Sequence, residues 1–135
     1  MNILFALLLI LLPPNDKIKI KDAWMRPSSE KMATALYFTI ENTGEKADTL
    51  YKVDCDFAGR VELHETYSEG EMMGMRKVEF IVVNAKSSFE LKPGSHHIMV
   101  MKLKKDIKDG AEEEFFLHFK QAGKIKIKAF ARNPE

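Results

Sequence analysis

From Ser95 to Met101 the chain reads Ser-His-His-Ile-Met-Val-Met. Alternate side chains of a β-strand share a face, so His97, Met99 and Met101 point one way and His96, Ile98 and Val100 the other. An imidazole and a thioether two residues apart on one face make half of a metal site. A second half is available upstream. His64 lies in Val61-Glu62-Leu63-His64-Glu65, and Met72, Met73 and Met75 lie in or beside a short stretch bracketed by Gly70 and Gly74. Thioether sulfur is soft and uncharged, which suits Cu(I) and serves zinc, magnesium or calcium poorly; imidazole adds a stronger donor that copper also accepts. The expected cargo is one Cu(I) per chain. Alternation alone supports the His97–Met99 pair and leaves Met72, Met73 and Met75 as competitors for a loop ligand, with Met101 lining the site.

Those residues need strands to hold them. Residues 17–26, 32–42, 48–55, 60–67, 75–84, 96–103, 113–120 and 124–131 each carry β-branched, aromatic or alternating residues. Between them lie turn signals such as Asn42-Thr43-Gly44 and Lys92-Pro93-Gly94-Ser95. A short loop is expected over Gly70–Gly74. Asp106 to Glu114 is the one candidate for a helical piece, and Gly110 interrupts it. Short strands spaced by roughly ten residues predict an all-β chain, a Greek-key β-sandwich. Trp24, Tyr37, Phe115, Phe116, Phe119 and Phe130 are expected to fill its core.

Composition narrows the function classes. The 135 residues suit one domain, and 21 Lys plus Arg against 20 Asp plus Glu leave a formal charge of +1. That balance gives no global field for nucleic acid or an anionic membrane. Lysine alternates with isoleucine in Lys17–Lys21 and Lys124–Lys128, the pattern of a solvated strand face guarding a sheet edge. The single cysteine, Cys55, rules out a disulfide within the chain and a cysteine zinc cluster. No nucleophile–base signature or phosphate loop is present, so no enzyme is expected.

The run Ile3–Leu12 is wholly apolar and is followed by Pro13 and Pro14. As a helix it would span about 15 Å, half of a bilayer core of roughly 30 Å. Its length fits the apolar region of a secretory signal. Residues 1–14 are therefore expected to be a signal or N-terminal anchor, and residues 15–135 the copper-binding domain, working in the periplasm or another extracytoplasmic space. Thiols there tend to oxidise to disulfides, whereas methionine ligates softly without that liability. The donor set and the export signal thus agree.

Ten residues separate His64 from Met75, twenty-one separate Met75 from His97, and one separates His97 from Met99. This H-x10-M-x21-H-x-M spacing resembles that of the PCuAC family of periplasmic copper chaperones. The resemblance extends to Ala23-Trp24-Met25-Arg26-Pro27, to Ala35–Asn42, to Val61–Glu65 and to Leu91–Met99. It selects Met75 over Met72 and Met73 and joins His64 to the pair. It also implies a cupredoxin-like sandwich holding one Cu(I) near its surface. The partner it implies is a copper acceptor, a cytochrome c oxidase subunit with its dinuclear copper site or an assembly factor for it. A monomer is expected. Two departures stand out. Glu65 follows the first histidine where many relatives have methionine, and the sequence stops at Glu135, without the longer His- and Met-rich tail of many relatives, so no second site is expected. The rival readings are a blue-copper electron carrier, which would need Cys55 as a thiolate ligand, and a metal-free binding sandwich.

Overall fold

The computed structural model describes residues 17–134. The expected signal or anchor over residues 1–14 lies outside the described residues. Ten strands follow one another: β1 (Ile18–Met25), β2 (Thr34–Asn42), β3 (Asp48–Asp54), β4 (Ala58–Glu69), β5 (Met72–Lys77), β6 (Ile81–Val83), β7 (Ser87–Glu90), β8 (His96–Leu103), β9 (Glu112–Phe119) and β10 (Gly123–Ala131). Their lateral order is β5-β4-β8-β2-β1-β10-β9-β3-β6, with β7 on the far part of β2. All pairs are antiparallel except β1 with β10.

This sheet is rolled over on itself. Leu36, Phe38 and Ile40 of β2, Leu63 of β4, and Ile98 and Val100 of β8 share one buried cluster with Leu50 and Val53 of β3 and with Phe115, Leu117 and Phe119 of β9. Strands from the two ends of the order can meet in one core only if their layers face each other, which is the sandwich the sequence predicts. Each contributing strand alternates inward apolar residues with outward polar ones. Asn42 and Asp48 are two of the buried polar residues, and both are satisfied. Asn42 donates to the carbonyls of Lys46 and Val83, and the Asp48 carboxylate accepts from the amides of Thr49, Gln121 and Ala122.

Several expectations need correction. The Gly70–Gly74 stretch is not a loop. β4 runs on to Glu69, and β5 returns from Met72, with Gly70 and Glu71 as a two-residue turn. Gly70 has φ +63°, the conformation a hairpin turn with glycine at its first central position requires. The strand expected over 75–84 is accordingly two, β5 and β6. β7 was not foreseen, because Ser-Ser-Phe-Glu carries little apolar signal. Asp106–Glu114 is not helical; Ile107 bridges Ser28, and β9 begins at Glu112. Phe130 is 53% exposed, because Ala129 and Ala131 take the inward positions of β10, and Trp24 and Phe116 are only partly buried and lie outside the core cluster.

The lysine runs do line edges. β1 and β10 meet only at Trp24–Phe130 and Met25–Ala131. Ile18–Lys21 pairs with β2 alone and Lys124–Lys128 with β9 alone. The two strands diverge around a cleft lined by Ile20, Ala23, Lys126 and Lys128, among others.

Candidate functional site

β4 and β8 are antiparallel neighbours, and their register sets His64 directly opposite His97. Val61 and Leu63 of β4 lie opposite Val100 and Ile98 of β8 on the core side. The two histidines are thereby forced onto the outer face, together with Glu62 and Met99, which are also directly opposite one another. The imidazole centroids are 5.6 Å apart. His97 is only 3% exposed despite facing outward. Tyr37 of β2 covers one side of it at 6.4 Å between centroids, and Trp24 of β1 lies 4.7 Å beyond Tyr37. Arg132 and Arg26 stand over Trp24 at the end of this row.

The turn before β8 fixes the His97 ring. Pro93 and Gly94 are its central residues, Gly94 has φ +83°, and the Ser95 amide donates to the Lys92 carbonyl at 3.0 Å. The Ser95 carbonyl is thereby presented to two donors, the Thr66 amide at 3.0 Å and His97 Nδ1 at 3.3 Å. A carbonyl only accepts, so Nδ1 carries the proton and Nε2 the free lone pair. His64 is fixed by a different partner, with Nε2 3.0 Å from Glu62 Oε1. A carboxylate likewise accepts, which leaves the lone pair on Nδ1. Glu62 is itself anchored by Arg60, whose Nε and Nη2 lie 2.8 and 2.7 Å from Oε2. The hydrogen bond with His64, aided by Arg60, holds the Glu62 carboxyl below its usual range, so it stays ionised. Burial pushes the His97 pKa down, assisted by its histidine neighbours and opposed by the Ser95 hydrogen bond.

Among the described residues, two buried side-chain polar atoms lack a hydrogen-bond partner: His64 Nδ1 and His97 Nε2. A buried group of this kind costs about 1–3 kcal/mol if left unsatisfied. Two of them on facing rings, each with the opposite nitrogen oriented by an acceptor, form the donor pair expected beside a metal. Among the described residues no group of three or more His, Cys, Asp or Glu could hold a metal ion; the soft donors beside this pair are thioethers.

The methionines sort by face. β5 pairs with β4 so that Lys77 is opposite His64, Met75 opposite Thr66, and Met73 opposite Ser68. Directly opposed residues share a face, so Met75 and Met73 stand on the histidine side. Met72, opposite Glu69, stands on the other. Met75 is one diagonal step from His64, and Met99 is one alternation from His97. Two thioethers thus flank the histidine pair on opposite corners. Met99 is half-buried and Met75 is 54% exposed. Met101, opposite Arg60, continues the line on β8, where the positive φ of Lys102 ends the regular alternation. Met73 lies four residues along from the histidine row, roughly 13 Å. Glu62 was not singled out from the sequence, although its place two residues before His64 on the same strand face was available to do so.

The remaining histidines lie elsewhere. His96 is on the opposite face, its Nε2 3.2 Å from Glu65, which also receives Arg76 Nε at 2.7 Å. His118 Nε2 contacts Asp54 at 2.7 Å on β9 and β3. Cys55 follows β3, in the other layer from β4 and β8. It is partly buried, and burial pushes its thiol pKa up. A thiolate ligand to this site is not available from there.

A family model described as "Putative lipoprotein LpqE-like" matches residues 18–131. The chain is 29% identical to "Uncharacterized protein RP573" of Rickettsia prowazekii (strain Madrid E) over 131 residues, covering 92% of this chain and 72% of that protein. Among solved structures it is similar to the copper-bound PCuAC domain from PmoF2, with a TM-score of 0.74 and 25% identity, covering 87% of this chain and 94% of that one. It is also similar in fold to CuI-DR1885 from Deinococcus radiodurans, with a TM-score of 0.67 and 21% identity, covering 87% and 81%. The architecture is the cupredoxin-like β-sandwich of these domains, as expected from the sequence. The chain belongs to the LpqE-like family, and its fold is that of a PCuAC domain.

Proposed function

We propose that this chain is a copper chaperone that binds one Cu(I) through His64, Met75, His97 and Met99 and passes it to an acceptor protein. The observation that carries the reading is the pair of buried, unpartnered nitrogens, His64 Nδ1 and His97 Nε2, on rings 5.6 Å apart. Met75 and Met99 stand on the same face at diagonal corners. The donor set is soft and neutral, which fits a monovalent d10 ion better than a hard divalent one. The similar PmoF2 domain is copper-bound and the similar DR1885 carries CuI, which supports the same cargo here.

Release follows from the ligand types. An acceptor's thiolates bind Cu(I) more strongly than thioethers do, so an incoming sulfur can displace the ion's ligands one at a time while the remaining donors still hold it. The acceptor we propose is the dinuclear copper site of cytochrome c oxidase or one of its assembly factors. The workplace we propose is outside the cytoplasm, with residues 1–14 as signal or anchor; the family's description as lipoproteins supports this. The working unit we propose is a monomer.

Anaerobic Cu(I) titration against a competing chelator tests the site. Met75→Leu and Met99→Leu keep side-chain volume and remove the donor sulfur. Each is expected to weaken Cu(I) binding by roughly tenfold or more, about 1.4 kcal/mol per factor of ten. Unchanged affinity in both variants would overturn the assignment.

A further inference from the structure

The outer face of β5, β4 and β8 carries more soft donors than a four-ligand site uses. Met73 is opposite Ser68, Met75 opposite Thr66, His64 opposite His97, and Met99 opposite Glu62. Successive rows are two residues apart, roughly 6.6 Å along the strands. The donors therefore form one graded line. It starts at the tip of the β4–β5 hairpin with a thioether that is 72% exposed, continues through Met75 at 54%, and ends at the buried histidine pair and half-buried Met99.

We propose that Met73 is a transfer ligand: it takes Cu(I) from the histidine pair during hand-over and presents it at the hairpin tip to an incoming thiolate. The proposal rests on the Cu(I) reading of the quartet. In the step, a lone pair of Met73 Sδ forms a bond to Cu(I) as the bonds to Met99 Sδ and then to His97 Nε2 and His64 Nδ1 break, each nitrogen regaining its lone pair. The charge on copper is unchanged, and no proton or electron moves. Met75, between the two, stays bound throughout. The exchange suits a thioether because Cu(I) forms labile bonds to soft neutral donors, and because the hairpin tip is the part of this face farthest from the sandwich body. β5 is also an edge strand, held on one side only, by β4, so the hairpin tip can move relative to the sheet at small cost.

The fold supplies the control. Met72 is adjacent in sequence and equally exposed, at 75%, but stands on the opposite face with Glu69. Met73→Leu and Met72→Leu are compared with the unaltered chain in two measurements. The first is equilibrium Cu(I) affinity against bathocuproine disulfonate. The second is the stopped-flow rate of Cu(I) transfer to a synthetic peptide bearing a Cys-x-x-Cys pair. Met73→Leu is expected to keep the affinity within about twofold and slow the transfer by roughly tenfold, the effect of about 1.4 kcal/mol on the barrier. Met72→Leu should change neither. Equal transfer rates in the two variants would overturn the proposal. So would a large loss of affinity in Met73→Leu, which would make Met73 a resident ligand. If the unaltered chain fails to bind Cu(I) at all, the reading of the quartet falls instead.

Discussion

His97 is an outward-facing histidine that water hardly reaches. Tyr37 shields one side of it and His64 the other, and the Ser95 carbonyl holds Nδ1. Burial lowers its pKa from the ordinary 6.5. A lowered folded value means that the unfolded chain takes up the proton first as pH falls. Stability is therefore full above pH 6.5 and declines from there toward the depressed folded value, where the loss is complete. Urea unfolding of the metal-free protein at pH 7.5, 6.5 and 5.5 should show the midpoint dropping with acid. In His97→Gln that dependence should be weaker, and an equal slope in both proteins would contradict the account. In the proposed copper site the same shift keeps Nε2 free at acidities that would protonate an ordinary histidine. Some of this was legible in sequence. Strand alternation alone joins His97 to Met99. The Ser95 carbonyl has no sequence signature, because any residue supplies a carbonyl and only the Pro93–Gly94 turn aims this one.

At the scale of elements, the β4–β5 hairpin decides which methionine can serve. Had Gly70–Glu71 been read as a two-residue turn, the register would have followed at once, with Met75 and Met73 on the histidine face and Met72 off it. Reading glycines at both ends as a loop hid this. Gly70 is the pivot. Alanine there must adopt φ +63°, at a cost of about 1–2 kcal/mol. Gly70→Ala is expected to fray the hairpin, speeding amide exchange over residues 66–75 and weakening Cu(I) binding. The melting temperature of the sandwich should shift little, because β5 contributes an edge and no core residue. A large fall in melting temperature with unchanged exchange at the hairpin would show that the turn supports the core instead. The missed β7 and the misplaced Phe130 have related causes. Ser87–Glu90 lacks an apolar face to announce it. Phe130 was assigned by residue type, when the parity of Ala129 and Ala131 already placed it outside.

Across the whole molecule, the first and last strands close the fold by touching only at one end. Trp24–Phe130 and Met25–Ala131 are the contacts, and each strand then runs with one side open. Open edges invite pairing with a second chain, and charged lysines at alternate positions oppose it. Replacing Lys124, Lys126 and Lys128 by threonine takes the formal charge from +1 to −2 (1 − 3 = −2). The magnitude rises, which by itself favours solubility. We nevertheless expect the variant to associate, seen by light scattering at neutral pH, because the protection is local. A fully monomeric variant would show that the edge is shielded by its geometry alone. The lysine pattern was readable from the sequence; that the two runs flank one shared cleft was not, because it depends on a parallel pairing between residues a hundred positions apart.

The hairpin also bears on how far the spacing between His64 and Met75 is free to vary. The ten residues from His64 to Met75 are a path up one arm, around a tight turn and down the other. Deleting a single residue from that path would slip the pairing by one and turn the sulfur to the opposite face. Removing one residue from each arm would change the type of pair that closes the turn, since hydrogen-bonded and non-hydrogen-bonded pairs alternate. Only changes of four at a time, two from each arm, restore both the turn and the facing. The distance between these two residues is thus quantised by the sheet: a hairpin longer or shorter by four residues keeps the same facing at a spacing other than ten.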